Sequence, residues 1–475
     1  MKIILKLFFL YSFFISFRGN SQGYEIKVKI EGAQEADLLL GYYLSGKTYL
    51  KDTAKYMDGD FTFSGSEPLD HGMYLLVQNG NLLFDLVIGK DQSFSIKTTF
   101  DDYINSIEVD GDKDNQLFFD NMRLSIKRNE EAAPHVAILK DSTSTEEAKV
   151  EARKHLEVIN DKLDAYFTKT MESHPGSITA VIVGANKRLK IPDEEAAKLA
   201  IDNDEARFSY YRNHFWDNID LGNPILLRMS TPVYEQKVDE YMDKLIAPVP
   251  DAIKKAADKL IEVAKKNEDT YQFLVWHLTY KYQSSRIMGM DEVYVHLVDK
   301  YFLTGEMDFW ANDQLKNNLK EKADQYRNSL IGMLAPNLIL QNLKRQPKAL
   351  HDLPNDYSVI YFYDPDCGHC KRETPVLKAF YDSTAFNVGV YTVSADTSMT
   401  KMNNYVEEMG LQDWVNTNGT KTYSVNYQEF YDAFTTPTIY LLNDRKEIIA
   451  KKITASQLEE IITKYEQTQN EKAGN

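Results

Sequence analysis

Cysteine is almost missing from this chain. Its 475 residues include two, Cys367 and Cys370, three positions apart. Two adjacent thiols cannot staple a protein of this length, which excludes a disulfide-stabilised scaffold. Positive charge is also in deficit. Lys and Arg total 55 against 71 Asp and Glu, for a net charge of −16. That balance argues against nucleic acid and against an anionic membrane surface as partners. Long apolar runs are lacking too, except for one at the start. The remaining composition, 43% hydrophobic and 27% charged, is ordinary for globular protein, and the length predicts two to four domains.

The one apolar run covers residues 3–17, follows Lys2, and is interrupted by Lys6, Ser12 and Ser16. It is shorter than the roughly 20 residues that a spanning helix needs and fits the core of a secretory signal. Gly19-Asn20-Ser21 offers a small-x-small cleavage pattern, with Gln22 as the mature start. Residues 1–21 are therefore expected to be a signal peptide, with an uncleaved anchor as the alternative. The protein is expected in the periplasm or cell envelope, without a stable membrane span. An exported chain that keeps its cysteines only as C-x-x-C uses them for chemistry.

Hydrophobic periodicity predicts a multidomain fold. Over 22–112 short alternating runs, such as Tyr24 to Ile30, are separated by Asp58-Gly59 and Asn79-Gly80 turns, predicting an antiparallel β-sandwich. Over 113–330 the period becomes helical. Ile253, Ala256, Ala257, Leu260, Ile261 and Ala264 share one face, and the region reads as an all-α domain. Its aromatic pieces, such as Tyr210-Tyr211 and Phe215-Trp216, suit core packing. Over 331–475 strands and helices alternate. Strands are expected at 358–363, 388–394, 438–442 and 447–452, and helices at 368–380, 399–409 and 455–465. The first two strands are apolar nearly throughout, as in a sheet covered on both faces.

Cys367-Gly368-His369-Cys370 falls where strand passes to helix. Unpaired N–H groups and the dipole at a helix N-terminus stabilise a thiolate. Cys367 is thus the expected nucleophile. Cys370 lies one turn on, its Cα roughly 5.5 Å away, a separation that suits a disulfide, and is the buried resolving thiol. His369 is expected to add positive charge beside Cys367, and Gly368 to allow tight entry into the helix. Asp366 is expected as the helix N-cap, and Pro375 as a kink.

The stretch Tyr361-Phe362-Tyr363-Asp364-Pro365-Asp366-Cys367-Gly368-His369-Cys370-Lys371, with Pro375, resembles the thioredoxin superfamily, as does Phe434-Thr435-Thr436-Pro437-Thr438. Ala335-Pro336-Asn337-Leu338 is similar to the lead-in of the TlpA/ResA-like exported branch. The whole layout, including Ile287-Met288-Gly289-Met290-Asp291, looks like exported Bacteroidetes proteins with leading β and helical domains. The resemblance implies a C-terminal thioredoxin fold, a cis Thr436-Pro437 bond facing the dithiol, and contact of Thr436 and Pro437 with the substrate chain. It departs at Asp366, where many thioredoxins carry Trp, and at Tyr361, where thioredoxin keeps a buried Asp for proton transfer. Glu373 and Glu429 are the remaining candidates for a proton acceptor.

The expected activity is thiol–disulfide exchange with exported proteins, with protein thiols or disulfides and a redox partner as partners and no cofactor. A metal site is disfavoured because structural zinc needs four ligands and there is no second C-x-x-C. Haem attachment needs C-x-x-C-H, whereas Lys371 follows Cys370. The alternative function is a non-enzymatic binding protein whose dithiol tethers or senses a partner.

Overall fold

In the computed structural model residues 23–192 and 204–473 are described. The expected signal peptide lies outside them. The chain forms two compact units, Met1–Tyr241 and Met242–Asn475.

The first unit begins with eight strands: β1 (Tyr24–Glu31), β2 (Leu38–Leu44), β3 (Lys47–Ala54), β4 (Asp60–Gly65), β5 (Gly72–Gln78), β6 (Asn81–Ile88), β7 (Ser93–Thr99) and β8 (Glu108–Asp110). They make two four-stranded sheets, ordered β4-β1-β7-β8 and β3-β2-β5-β6. Pairing is antiparallel except between β1 and β7, which run parallel. Alternation works as expected in β1, where Ile26, Val28 and Ile30 are buried and Glu25, Lys27 and Lys29 face water. The helices α1 (Lys113–Lys140), α2 (Glu146–Ser173), α3 (Ile178–Asn186) and α4 (Asp204–His214) follow. Asp112 starts α1 by accepting from the N–H groups of Asp114 and Asn115.

The chain leaves this unit within α5 (Val233–Lys244). The second unit opens with α6 (Pro250–Ala264), α7 (Glu268–Gln283), α8 (Asp291–Leu297) and α9 (Asp313–Arg327). The six apolar residues predicted to share a face of α6 are the six that it buries. A π-helical turn, Val298–Phe302, continues α8.

Beyond Ala335 come β9 (Ile339–Asn342), β10 (Pro347–Ala349), β11 (Tyr357–Tyr363), α10 (Gly368–Ser383), β12 (Val388–Ser394), α11 (Met399–Glu408), β13 (Val415–Thr422), β14 (Thr438–Leu442), β15 (Ile448–Lys451) and α12 (Leu458–Ala473). The sheet order is β10-β9-β13-β12-β11-β14-β15. Every residue of β11 and β12 is buried, as their uniform apolarity predicts. The two faces of β11 separate with period two. Val359, Tyr361 and Tyr363 pack with Cys370, Leu377, Tyr405, Leu458 and Ile462. Ile360 and Phe362 pack with Leu340, Tyr427, Tyr431 and Tyr440.

One register fixes the site. The pairing of β11 with β14 is antiparallel, and Phe362 is opposite Thr438. The end of β11, leading to Cys367, therefore meets the start of β14, which follows Pro437.

Candidate active site

The loop between β11 and α10 is shaped by Asp364. Its side chain accepts from the Asp366 N–H at 2.8 Å, and its carbonyl from the Cys367 N–H at 3.1 Å. Helix α10 begins at Gly368, so Cys367 itself is the N-cap: extended in backbone, its Sγ accepts from the Cys370 N–H at 3.4 Å. The expectation that Asp366 would cap the helix is corrected by one residue. Asp366 is exposed, and its carboxylate meets Lys401 Nζ of α11 at 2.6 Å. Lys401 also reaches Asp396 Oδ2 at 3.1 Å. The three carboxylates Asp364, Asp366 and Asp396 cluster here with that lysine already among them.

The Cys367 thiol donates to the Thr436 carbonyl at 3.3 Å. The Thr436-Pro437 bond is cis. Cys367 is partly exposed, Cys370 is buried, and both are free thiols. Burial pushes Cys367 up, but hydrogen bonds from the Cys370 thiol and N–H, from Thr436 and from the His369 N–H outweigh it, and its pKa is lowered. Burial dominates at Cys370, whose pKa is pushed up to about 12. The same helix start thus lowers the pKa of one thiol and leaves that of its neighbour raised.

His369 is exposed, and Arg372 Nη2 donates to its Nδ1 at 2.7 Å. Nδ1 therefore holds a lone pair in this arrangement, and the fixed positive charge beside the motif is the guanidinium. The His369 backbone N–H also hydrogen-bonds to Cys367. Gly368 is not required sterically. A Cβ there would meet only Arg372 Nη1, at 3.9 Å.

Below Cys370 lies a chain of hydroxyls. Tyr361 is 2.8 Å from Thr374 Oγ1, which is 2.6 Å from Tyr405. The Tyr363 ring stacks on Tyr405, with centroids 4.8 Å apart. Burial pushes Tyr361 up, and Tyr405 to about 12, so these phenols stay protonated and neutral. Neither candidate glutamate joins them. Glu373 accepts from the Ala455 N–H at 2.5 Å, and Glu429 is exposed in the turn Tyr427–Glu429. Sequence reasoning missed Thr374 and Lys401. Thr374 had a signal, since it sits four residues after Cys370 on the same helix face. Lys401 is 35 residues from its partner Asp366 and had none.

Comparison with known proteins agrees with the fold. Residues 331–451 match the AhpC/TSA family. The C-terminal region is a thioredoxin-like domain. Residues 24–118 and 162–325 match two domains of unknown function, DUF4369 and DUF5106. Among solved structures, a thioredoxin-like protein from Bacteroides caccae is similar at 19% identity and TM-score 0.46, covering 58% of this chain and 96% of that one. A domain of a possible thiol-disulfide isomerase from Cytophaga hutchinsonii is 27% identical, with TM-score 0.28 over 30% of this chain and 96% of that one. StoA from Bacillus subtilis is 20% identical, with TM-score 0.23 over 28% and 98%. No curated protein matches. Among the described residues, no helix is long and apolar enough to cross a membrane.

Proposed function

We propose that this chain is a thiol–disulfide oxidoreductase acting on exported proteins of the cell envelope through Cys367 and Cys370. The observation that carries this reading is the asymmetry of the pair: a lowered, partly exposed thiol against a raised, buried one, three residues apart at one helix start. In the reducing direction the Cys367 thiolate attacks a substrate disulfide. That S–S bond breaks, a Cys367–substrate disulfide forms, and the departing thiolate takes up a proton. Cys370 then loses its proton and attacks Cys367 Sγ. The intramolecular disulfide forms and the second substrate thiolate leaves, to be protonated in turn. Two electrons pass to the substrate, and the reverse sequence oxidises it. A dithiol or disulfide partner must restore the starting state.

Thr436 and Pro437 are assigned to guiding the extended substrate backbone past Cys367. His369 and Arg372 set the polarity around the thiolate. Export rests on the apolar run after Lys2 and on a dithiol kept free of structural bridges.

The test is single-turnover reduction of protein disulfides by the dithiol form of the full chain. Wild type should react and Cys367→Ser should not. Equal inertness of the two across several disulfide substrates would overturn the proposal.

A further inference from the structure

Gln428, Glu429 and Phe434 form one wall of a cavity of about 570 Å³ whose other wall is α9, a helix that precedes the thioredoxin-like domain. Gln325 of α9 donates to the Gln428 carbonyl at 2.6 Å. Phe434 stands at the mouth, 60% exposed. Most charges around it are already matched. Lys322 pairs with Asp432 at 3.2 Å while lying 5.3 Å from the Phe434 ring centroid. Asp324 is held by Lys320 and Arg327. Two exposed carboxylates of the lining, Glu321 of α9 and Glu429, have no ion pair among the described residues.

Position connects this groove to the dithiol. Phe434 is two residues before Thr436, whose carbonyl meets Cys367 Sγ. Two Cα steps span at most about 7 Å. An extended substrate advances about 3.3 Å per residue, so a side chain two or three positions from its reacting cysteine reaches the groove.

We propose that α9 and Phe434 form a substrate subsite that selects a lysine or arginine two or three residues from the substrate cysteine. Building on the oxidoreductase reading above, this names the substrate class of the same site. The cationic head lies between Glu321 and Glu429, and its stem or guanidinium covers the free side of the Phe434 ring. A glutamate at that substrate position meets two like charges and is disfavoured.

The experiment compares two peptides, each with one cysteine capped as a methyl disulfide, with Lys or Glu three residues away. Single-turnover reduction is measured with the full chain in its dithiol form and divided by each peptide's rate with free dithiothreitol. The expected preference for the Lys peptide is about five- to tenfold at low salt, shrinking at high salt. The double variant Glu321→Lys/Glu429→Lys should invert it, which misfolding cannot do. Binding of the same peptides with Ser for Cys, followed by fluorescence anisotropy, reads the groove without redox chemistry and should show the same preference. Equal reduction of both peptides by wild type, or a preference unchanged by the charge reversal, overturns the subsite while leaving the oxidoreductase reading intact. Failure to reduce either peptide, with the binding preference retained, overturns the redox reading and supports the groove as a cation-selective peptide site.

Discussion

Lys401 Nζ lies 2.6 Å from the carboxylate of Asp366, the residue immediately before Cys367. An unpaired carboxylate in that place would oppose ionisation of Cys367. The pair offsets that charge, and Asp396 helps to hold the ammonium in place. Lys401→Met should therefore slow iodoacetamide alkylation of Cys367 at pH 6 by about two- to threefold, a modest effect because the pair is exposed and screened. Adding Asp366→Asn should restore the rate. A pH profile of alkylation for the three proteins checks this, and an unchanged profile in Lys401→Met would show that Asp366 does not act on the thiol.

Cys370 makes the stability of the reduced protein depend on pH. Unfolded, its thiol titrates near about 8.5; folded, it titrates near about 12. Below the first value both states are protonated and nothing changes. Between the two, only the unfolded state has released the proton, so stability falls as pH rises, by about 1.4 kcal/mol per unit. Cys367 behaves oppositely. Its lowered folded pKa adds stability as pH rises toward the unfolded value, and its contribution is flat above it. Comparing urea unfolding of reduced wild type with Cys370→Ala at pH 9 and 10, followed by thiol accessibility, should show the steeper loss in wild type alone.

Thr374 is fully buried and joins the hydroxyls of Tyr361 and Tyr405. Thr374→Val keeps the shape and removes both bonds, so Tyr405 loses its bond to Thr374 and Tyr361 keeps only a long one, 3.4 Å, to the Cys370 carbonyl. The expected cost is about 1–3 kcal/mol in chemical denaturation. Tyr361→Phe removes one hydroxyl and should cost about 1 kcal/mol. A larger loss for Tyr361→Phe than for Thr374→Val would contradict Thr374 as the hub.

Lys451 of β15 is buried against Asp291 at the start of α8, and its ammonium also donates to the Ser329 carbonyl at 2.6 Å. Desolvation lowers its pKa, with Asp291 opposing the shift. Asp291→Ala leaves an unpaired buried cation and should cost about 3–5 kcal/mol, whereas Asp291→Leu with Lys451→Met should recover most of that. Urea midpoints of the single and double variants measure the difference.

The elements around the dithiol were legible because their signals are local. Uniform apolarity marked β11 and β12, helical period marked α6, and the placement of the cysteines marked the junction where β11 passes to α10. Elements with weak local patterning were missed. β13 carries Asn416-Thr417-Asn418-Gly419, a polar stretch buried through hydrogen bonds such as Asn416 Nδ2 to the Leu411 carbonyl at 2.6 Å. A run of that composition reads as loop. The one-residue error at the helix cap had the same origin. Asp is the better cap by residue type, but the turn closed by Asp364 starts the helix at Gly368 and gives the position to a sulfur. Charge neutralisation by Lys401 and recognition by Glu321 depend on tertiary neighbours and left no trace in the spacing.

The boundary near residue 330 is crossed by more than the chain itself. Gln325 donates to the Gln428 carbonyl at 2.6 Å, Lys451 donates to the Ser329 carbonyl at 2.6 Å, and Lys451 depends on Asp291. A gene fusion that joined this redox sheet to another partner at that seam would inherit a stranded lysine in its interior. Recombination is thus constrained to move α8 together with the sheet, or to exchange Lys451 in the same event.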